Sequence, residues 1–111
     1  MNYAIIVYES DAELSARDDP ARAPAYSKAL VDAGIARGGA GLEPPRAATT
    51  VRLRGGKRTV QDGPFADTKE RLGGFFLIEV PDLDKALEWA ARCPAAATGS
   101  LEVRPTLAPL G

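Results

Sequence analysis

The sequence contains no histidine, so the side chain whose ordinary pKa lies nearest neutrality is missing from any acid–base or metal-binding scheme. It contains one cysteine, Cys93, which excludes an internal disulfide and, with histidine absent, a Cys/His zinc site. The aspartates are scattered without the spacing of a calcium loop. No bound metal and no cofactor are expected. No apolar run approaches the ~20 residues needed to cross a bilayer, and the amino terminus lacks the basic start and longer apolar core of a secretory signal. The expectation is a cytoplasmic protein with no membrane partner. Excess charge is also missing: 14 Lys and Arg against 15 Asp and Glu give a net charge of −1, so no overall field draws in nucleic acid.

What is present is an ordinary globular composition. The 111 residues are 45% hydrophobic and 26% charged, enough for one domain over 1–111 with its own core. Tyr3 to Tyr8 is apolar on both alternating faces, with Tyr3, Ile5 and Val7 on one and Ala4, Ile6 and Tyr8 on the other, which predicts a central strand. Glu9 to Asp19 is polar and acidic and is followed by Pro20 and Pro24, which reads as a long loop. Tyr26, Ala29, Leu30 and Ala33 then recur at helical spacing, with Pro24 in the first turn and Gly34 as the cap.

The glycines from Gly34 to Gly41 suggest a phosphate-cradling loop only weakly, because no helix or Lys-Ser/Thr pair follows; an irregular strand ending at Pro44-Pro45 is the plainer reading. Thr49 to Arg54 and Lys57 to Gln61 alternate around Gly55-Gly56, the pattern of a hairpin. Its Arg52, Arg54, Lys57 and Arg58 lack interleaved aromatics, so a solvated edge with protective charges is expected rather than direct nucleic-acid binding.

Gly73 to Val80 is the second segment apolar on both faces, with Phe75 and Leu77 opposite Phe76, Ile78 and Val80. Asp82 can cap a helix whose stripe is Leu83, Ala86, Leu87 and Ala90, with a Glu88–Arg92 pair at i, i+4. Ser100 to Arg104 reads as a last strand, and residues 106–111 as a loose tail. Strand, helix, strands, strand, helix, strand predicts an α+β fold, a ferredoxin-like split β-α-β sandwich with the two doubly apolar strands in its middle. Two helices cover one face of such a sheet, so the other face predicts a homodimer.

These segments resemble the YCII-related domain family, and within it the branch named for the Asp-Gly-Pro-Phe motif. The resemblance is carried by Tyr3 to Tyr8, Gly38 to Pro45, Asp62 to Glu70 with Leu72-Gly73-Gly74-Phe75, Val80 to Pro94, and Glu102 to Pro105. It implies a dimeric α/β-barrel and, for many members of the branch, a companion role beside sigma-factor-type transcription regulators. Biochemical function in the branch is largely undefined. Other members of the wider family resemble small enzymes using a histidine–aspartate dyad, which this sequence does not possess.

Without imidazole, acid–base chemistry falls to a carboxylate, a lysine, a tyrosine or the Cys93 thiol. Asp62 is the first choice as catalytic or ligand-binding group because it ends a strand beside a Gly-Pro turn. The alternative is that Asp62 only forms the turn by accepting backbone N–H bonds, with Phe65 plugging the core. Lys69 and Glu70 are candidate second groups or a solvated pair. Tyr8 and Tyr26 are candidate pocket hydroxyls or core residues. Cys93 has no base nearby in sequence and reads as an inert buried thiol. Three functions follow: a small dimeric domain binding a polar small molecule near Asp62, acting beside a sigma-factor-type protein; a cofactor-independent lyase- or isomerase-like enzyme with Asp62 as acid/base; or a structural interaction module with no ligand.

Overall fold

The strand at the amino terminus is the spine of the protein. In the computed structural model, which describes residues 1–15, 23–65 and 68–107, β1 (Asn2–Ser10) alternates buried and half-buried positions along its whole length. Tyr3, Ile5, Val7 and Glu9 are buried on one face, while Ala4, Ile6 and Tyr8 stay half-buried on the other. β5 (Glu70–Glu79) and β6 (Ser100–Pro105) pair antiparallel on either side of β1, and β2 (Ala36–Gly41) pairs antiparallel with the far edge of β5. The order β2-β5-β1-β6 puts the two doubly apolar strands in the middle. This is an α+β fold with an antiparallel sheet, compatible with the ferredoxin-like arrangement.

α2 (Ala23–Asp32) and α3 (Leu83–Ala91) contribute to the core on one face of that sheet, where Tyr26, Leu30, Ala86 and Ala90 join Tyr3, Ile5, Val7, Ile78 and Val80 in a single cluster. Ile5, Leu30 and Ile78 are fully buried, each worth about 1.5–3 kcal/mol of apolar transfer. α2 ends as its sequence dictates. Gly34 sits at φ 75°, the Ile35 N–H returns to the Leu30 carbonyl and the Gly34 N–H to that of Val31, so the last carbonyls are satisfied. The Asp82 carboxylate accepts the Lys85 N–H at 2.9 Å and caps α3.

Several expectations need correcting. The segment after β1 is not all loop: Glu9 and Ser10 still belong to the strand, and Asp11–Ser15 forms α1, which buries Leu14. The Ser10 hydroxyl oxygen accepts the Glu13 N–H at 3.3 Å, so a Ser-x-x-Glu start turns the chain into a helix at once. The rest of that expected loop, 16–22, lies outside the described residues, as do Ala66 and Asp67. The buried stripe of α3 is Ala86 and Ala90 with Trp89 packed beside them, whereas Leu83 and Leu87 are 46% and 47% exposed. Alanines let the helix lie close to the sheet, which turns the leucines to its flank. Ala33 of the α2 stripe is also exposed. Glu88 pairs with Lys85 at 3.2 Å, not with Arg92, whose guanidinium lies 4.1 Å from the Trp89 ring centre. Cys93 is buried. Thr106 remains tied to the sheet through its N–H to the Asn2 carbonyl, and the expected loose tail beyond 107 lies outside the described residues.

The glycine-rich segment from Ala36 to Gly41 is edge strand rather than a phosphate loop. Gly39 is required there, because a Cβ at its φ of 138° would meet the Phe75 carbonyl oxygen and the Phe76 Cα.

β3 (Thr49–Arg54) and β4 (Lys57–Asp62) form a separate two-stranded sheet joined by Gly55 and Gly56, both at positive φ. Its register pairs Arg54 with Lys57 and Thr49 with Asp62. All six residues of β4 are exposed, so the hairpin stands off the body as an arm. The radius of gyration, 15.5 Å, exceeds the ~13 Å of a compact chain this long. Phe65 does not plug the core: it is 73% exposed, with the Arg52 guanidinium 4.9 Å from its ring centre.

Candidate functional site

Where the arm leaves the body, four segments enclose a cleft of about 960 Å³. Tyr8 comes from β1, and Leu42 to Pro45 with Ala47 and Ala48 from the connection between β2 and β3. Thr49 and Thr50 open β3, Pro64 and Phe65 follow β4, and Thr68, Glu70, Arg71 and Leu72 lead into β5. Pro44 and Pro45 stiffen one wall, and a 3-10 turn, Pro45–Ala47, carries the chain round it. A smaller cavity of about 350 Å³ adjoins it, sharing Pro44, Pro45, Pro64 and Arg71 and adding Asp11 and Arg46.

A sheet irregularity shapes this end. β5 carries one extra residue, Gly73, opposite the Val7–Tyr8 step, because Val7 pairs with Gly74 and Tyr8 with Leu72. Such a bulge re-aims the side chains beyond it. Tyr8, Leu72 and Glu70 thereby share the face turned away from the helices, while Glu9 and Arg71, which are register partners, take the other. The Asp-Gly-Pro-Phe turn is pinned to the opposite wall. Gly63, at φ 99°, donates its N–H to the Ala48 carbonyl at 2.8 Å and accepts the Thr50 hydroxyl at 2.8 Å.

The walls are mainly apolar, with a few polar groups at one end, the usual make-up of a small-molecule site. The Tyr8 hydroxyl donates to Glu102 Oε1 at 3.3 Å, and Arg104 donates to Glu102 Oε2 at 2.6 Å. The Arg104 hydrogen bond, helped by the one from Tyr8, holds the Glu102 carboxyl below the ordinary carboxylate range. Glu70 accepts the Ser100 hydroxyl at 3.2 Å, and the Thr68 hydroxyl donates to the Glu70 carbonyl at 2.5 Å. Arg71, only 14% exposed, lies 3.5 Å from Asp11.

Of the residues singled out in the sequence, Tyr8 and Glu70 line the cleft. Asp62 does not: it is exposed at the end of β4 opposite Thr49, and Lys69 is exposed on the bend before β5. Tyr26 lies in the core on the helix side, its hydroxyl donating to the Trp89 carbonyl at 2.6 Å. Burial, and secondarily Cys93, raise its pKa, against a smaller opposing pull from Arg92. Leu42, Pro44, Pro45, Phe65, Arg71 and Leu72 were not anticipated as a site; the one signal for them was the paired prolines beside a second turn at Gly63-Pro64. Among the described residues no three His, Cys, Asp or Glu side chains converge to hold a metal ion, and no helix is long and apolar enough to cross a membrane.

Two comparisons agree on kinship. An uncharacterised protein of Rhizobium meliloti (strain 1021) is 41% identical over 113 aligned positions, which span 95% of this chain and 91% of that protein. The family model for the YCII-related domain matches residues 1–108, and the chain belongs to that family.

Proposed function

We propose that this chain is a small binding domain that holds an organic molecule in the cleft at the root of the arm and works as a homodimer. The observation that carries the reading is the make-up of the cleft: an apolar wall of Leu42, Pro44, Pro45, Phe65 and Leu72 facing Tyr8 and Glu70, with Arg71 at its border towards Asp11. Such a site suits an amphipathic ligand, with a ring or chain against the apolar wall and a polar head within reach of the tyrosine hydroxyl and the Glu70 carboxylate. The ligand is therefore less polar than the sequence suggested, and its position is displaced from Asp62 towards Tyr8. Acid–base catalysis by Asp62 is not part of this reading, since its carboxylate is exposed at a strand end and outside the cleft lining.

The homodimer is supported by Ile6, Phe75 and Leu77, half-buried residues on the sheet face opposite the helices. A companion role beside a sigma-factor-type regulator rests on the family resemblance, and a cytoplasmic setting fits the single buried thiol. The test is a thermal-shift screen of amphipathic metabolites against wild type, Tyr8→Phe and Leu72→Asp. A binder should raise the wild-type midpoint and lose most of that effect in Leu72→Asp. A panel that leaves the wild-type midpoint unmoved sinks the binding function; co-purification with the regulator, or its failure, decides the partnership.

A further inference from the structure

Among the described residues two largely apolar surfaces are left without cover. The first is one side of the arm. In its register Val51 stands opposite Val60 and Leu53 opposite Arg58, all on one face, whereas Thr50, Arg52, Arg54, Lys57, Thr59 and Gln61 occupy the other. Val51, Leu53 and Val60 are 63%, 65% and 58% exposed. An isolated two-stranded hairpin is marginal in water, and no other described strand or helix packs broadly against this one. The second surface is the sheet face opposite the helices, where Ile6, Phe75 and Leu77 are flanked by Ala4, Gly38 and Ala40, with the paired Glu102 and Arg104 beside Ile6 and Ala4 on its β6 border. The small residues leave it flat.

We propose that the arm is a clasp that lies, apolar side down, across the uncovered sheet face of a second copy, so that the two chains exchange arms. This rests on the homodimer reading above and specifies its contacts. Dimensions agree: six residues of strand span about 20 Å, and four strands span about 14 Å from first to last, so one arm crosses the sheet. Charge agrees too. Residues 49–62 carry Arg52, Arg54, Lys57 and Arg58 against Asp62, a net +3, and the whole chain is −1, which leaves −4 on the body to draw in a partner's arm at long range; of the four cations Arg58 alone lies on the docking side, and the other three face away from it. The root is fixed by the bonds of Gly63 to Ala48 and Thr50, so the arm leaves the body in a set direction. Two-fold symmetry makes each chain both donor and acceptor of an arm.

Two chains in a Cys93→Ala background test this, one ¹⁵N-labelled and carrying Leu53→Cys, the other unlabelled and carrying Leu77→Cys. Mild oxidation of the mixture should give a mixed-mass disulfide dimer, and replacing Leu53→Cys by Lys28→Cys on exposed α2 should give none. In sedimentation equilibrium, Leu53→Asp with Val60→Asp should weaken association at least 100-fold while far-UV circular dichroism keeps the folded signal. A monomeric wild type overturns the dimer reading itself. A dimer that persists in the double variant, without the mixed cross-link, overturns the clasp alone. So does an unchanged dimer in which those substitutions abolish binding of a labelled 20-base-pair DNA duplex.

Discussion

The hydroxyl of Thr50 donates to the carbonyl oxygen of Gly63 at 2.8 Å, tying the first turn of the arm to the last. Together with the Gly63 N–H to Ala48 it closes the ring of chain from which the arm projects. Thr50→Val keeps the shape and removes the donor. It should cost about 1 kcal/mol, a fall in Tm of about 4 °C for a domain of this size. Hydrogen exchange should also speed up in β3 and β4 before it does so in β1. An unaltered exchange pattern would show that the turn holds without this bond.

Gly39 and Gly38 provide an internally controlled pair. Both have φ near 135–138°, but only at Gly39 would a Cβ run into backbone, whereas at Gly38 the nearest neighbour is Leu77 Cδ1 at 3.7 Å. Gly39→Ala should cost more than about 2 kcal/mol, and Gly38→Ala only the strain of its φ, about 1–2 kcal/mol. Chemical denaturation of both variants checks the order; equal losses would mean that β2 shifts away from β5 to make room.

Tyr26 joins α2 to α3 through its bond to Trp89 and stacks edge-on against Phe76, ring centres 5.1 Å apart. Its pKa is raised in the folded state, chiefly by burial. The unfolded chain therefore releases this proton first, at a pH of about 10, and stability from the protonated hydroxyl is full below that pH and lost as pH rises towards the folded value. Tyr26→Phe should be less stable than wild type by about 1 kcal/mol at neutral pH. The gap should narrow above pH 10. A gap that stays constant to pH 11.5 in urea titrations would contradict the burial argument.

Asp62 stands exposed, across the ladder from Thr49 and outside the cleft lining. Asp62→Ala should change stability by no more than about 0.5 kcal/mol. It should leave the thermal shift by a cleft ligand intact where Leu72→Asp removes it. Loss of the ligand effect in Asp62→Ala would return this carboxylate to the site.

The framework was legible because its signals are local. Tyr3 to Tyr8 and Gly73 to Val80 carry apolar residues on both faces, Gly55-Gly56 marks the hairpin, and Gly34 and Asp82 mark helix ends, each by backbone chemistry that needs no tertiary context. α1 was not legible, since Leu14 is its one large apolar residue and five residues show no period. The α3 stripe was misjudged because Leu83 and Leu87 fit the helical spacing as well as Trp89 does, and only close packing of Ala86 and Ala90 against the sheet decides between them. The cleft was hidden for another reason. Leu42, Phe65 and Leu72 are far apart in sequence and chemically plain, and what unites them is the path of the chain round two proline turns and a bulge at Gly73.

The central position of β1 has a consequence for biosynthesis. Both its neighbours are made well after it, β5 from residue 70 onward and β6 ending at Pro105, so β1 waits for about sixty residues of chain before its backbone begins to be paired. Contacts this distant in sequence slow folding, and until they form, Ile5, Ile6 and Val7 present a bare apolar edge to other nascent chains. A translation product stopped short of Ser100 would keep one edge of β1 open for good, which makes β6 a check on whether β1 was worth folding.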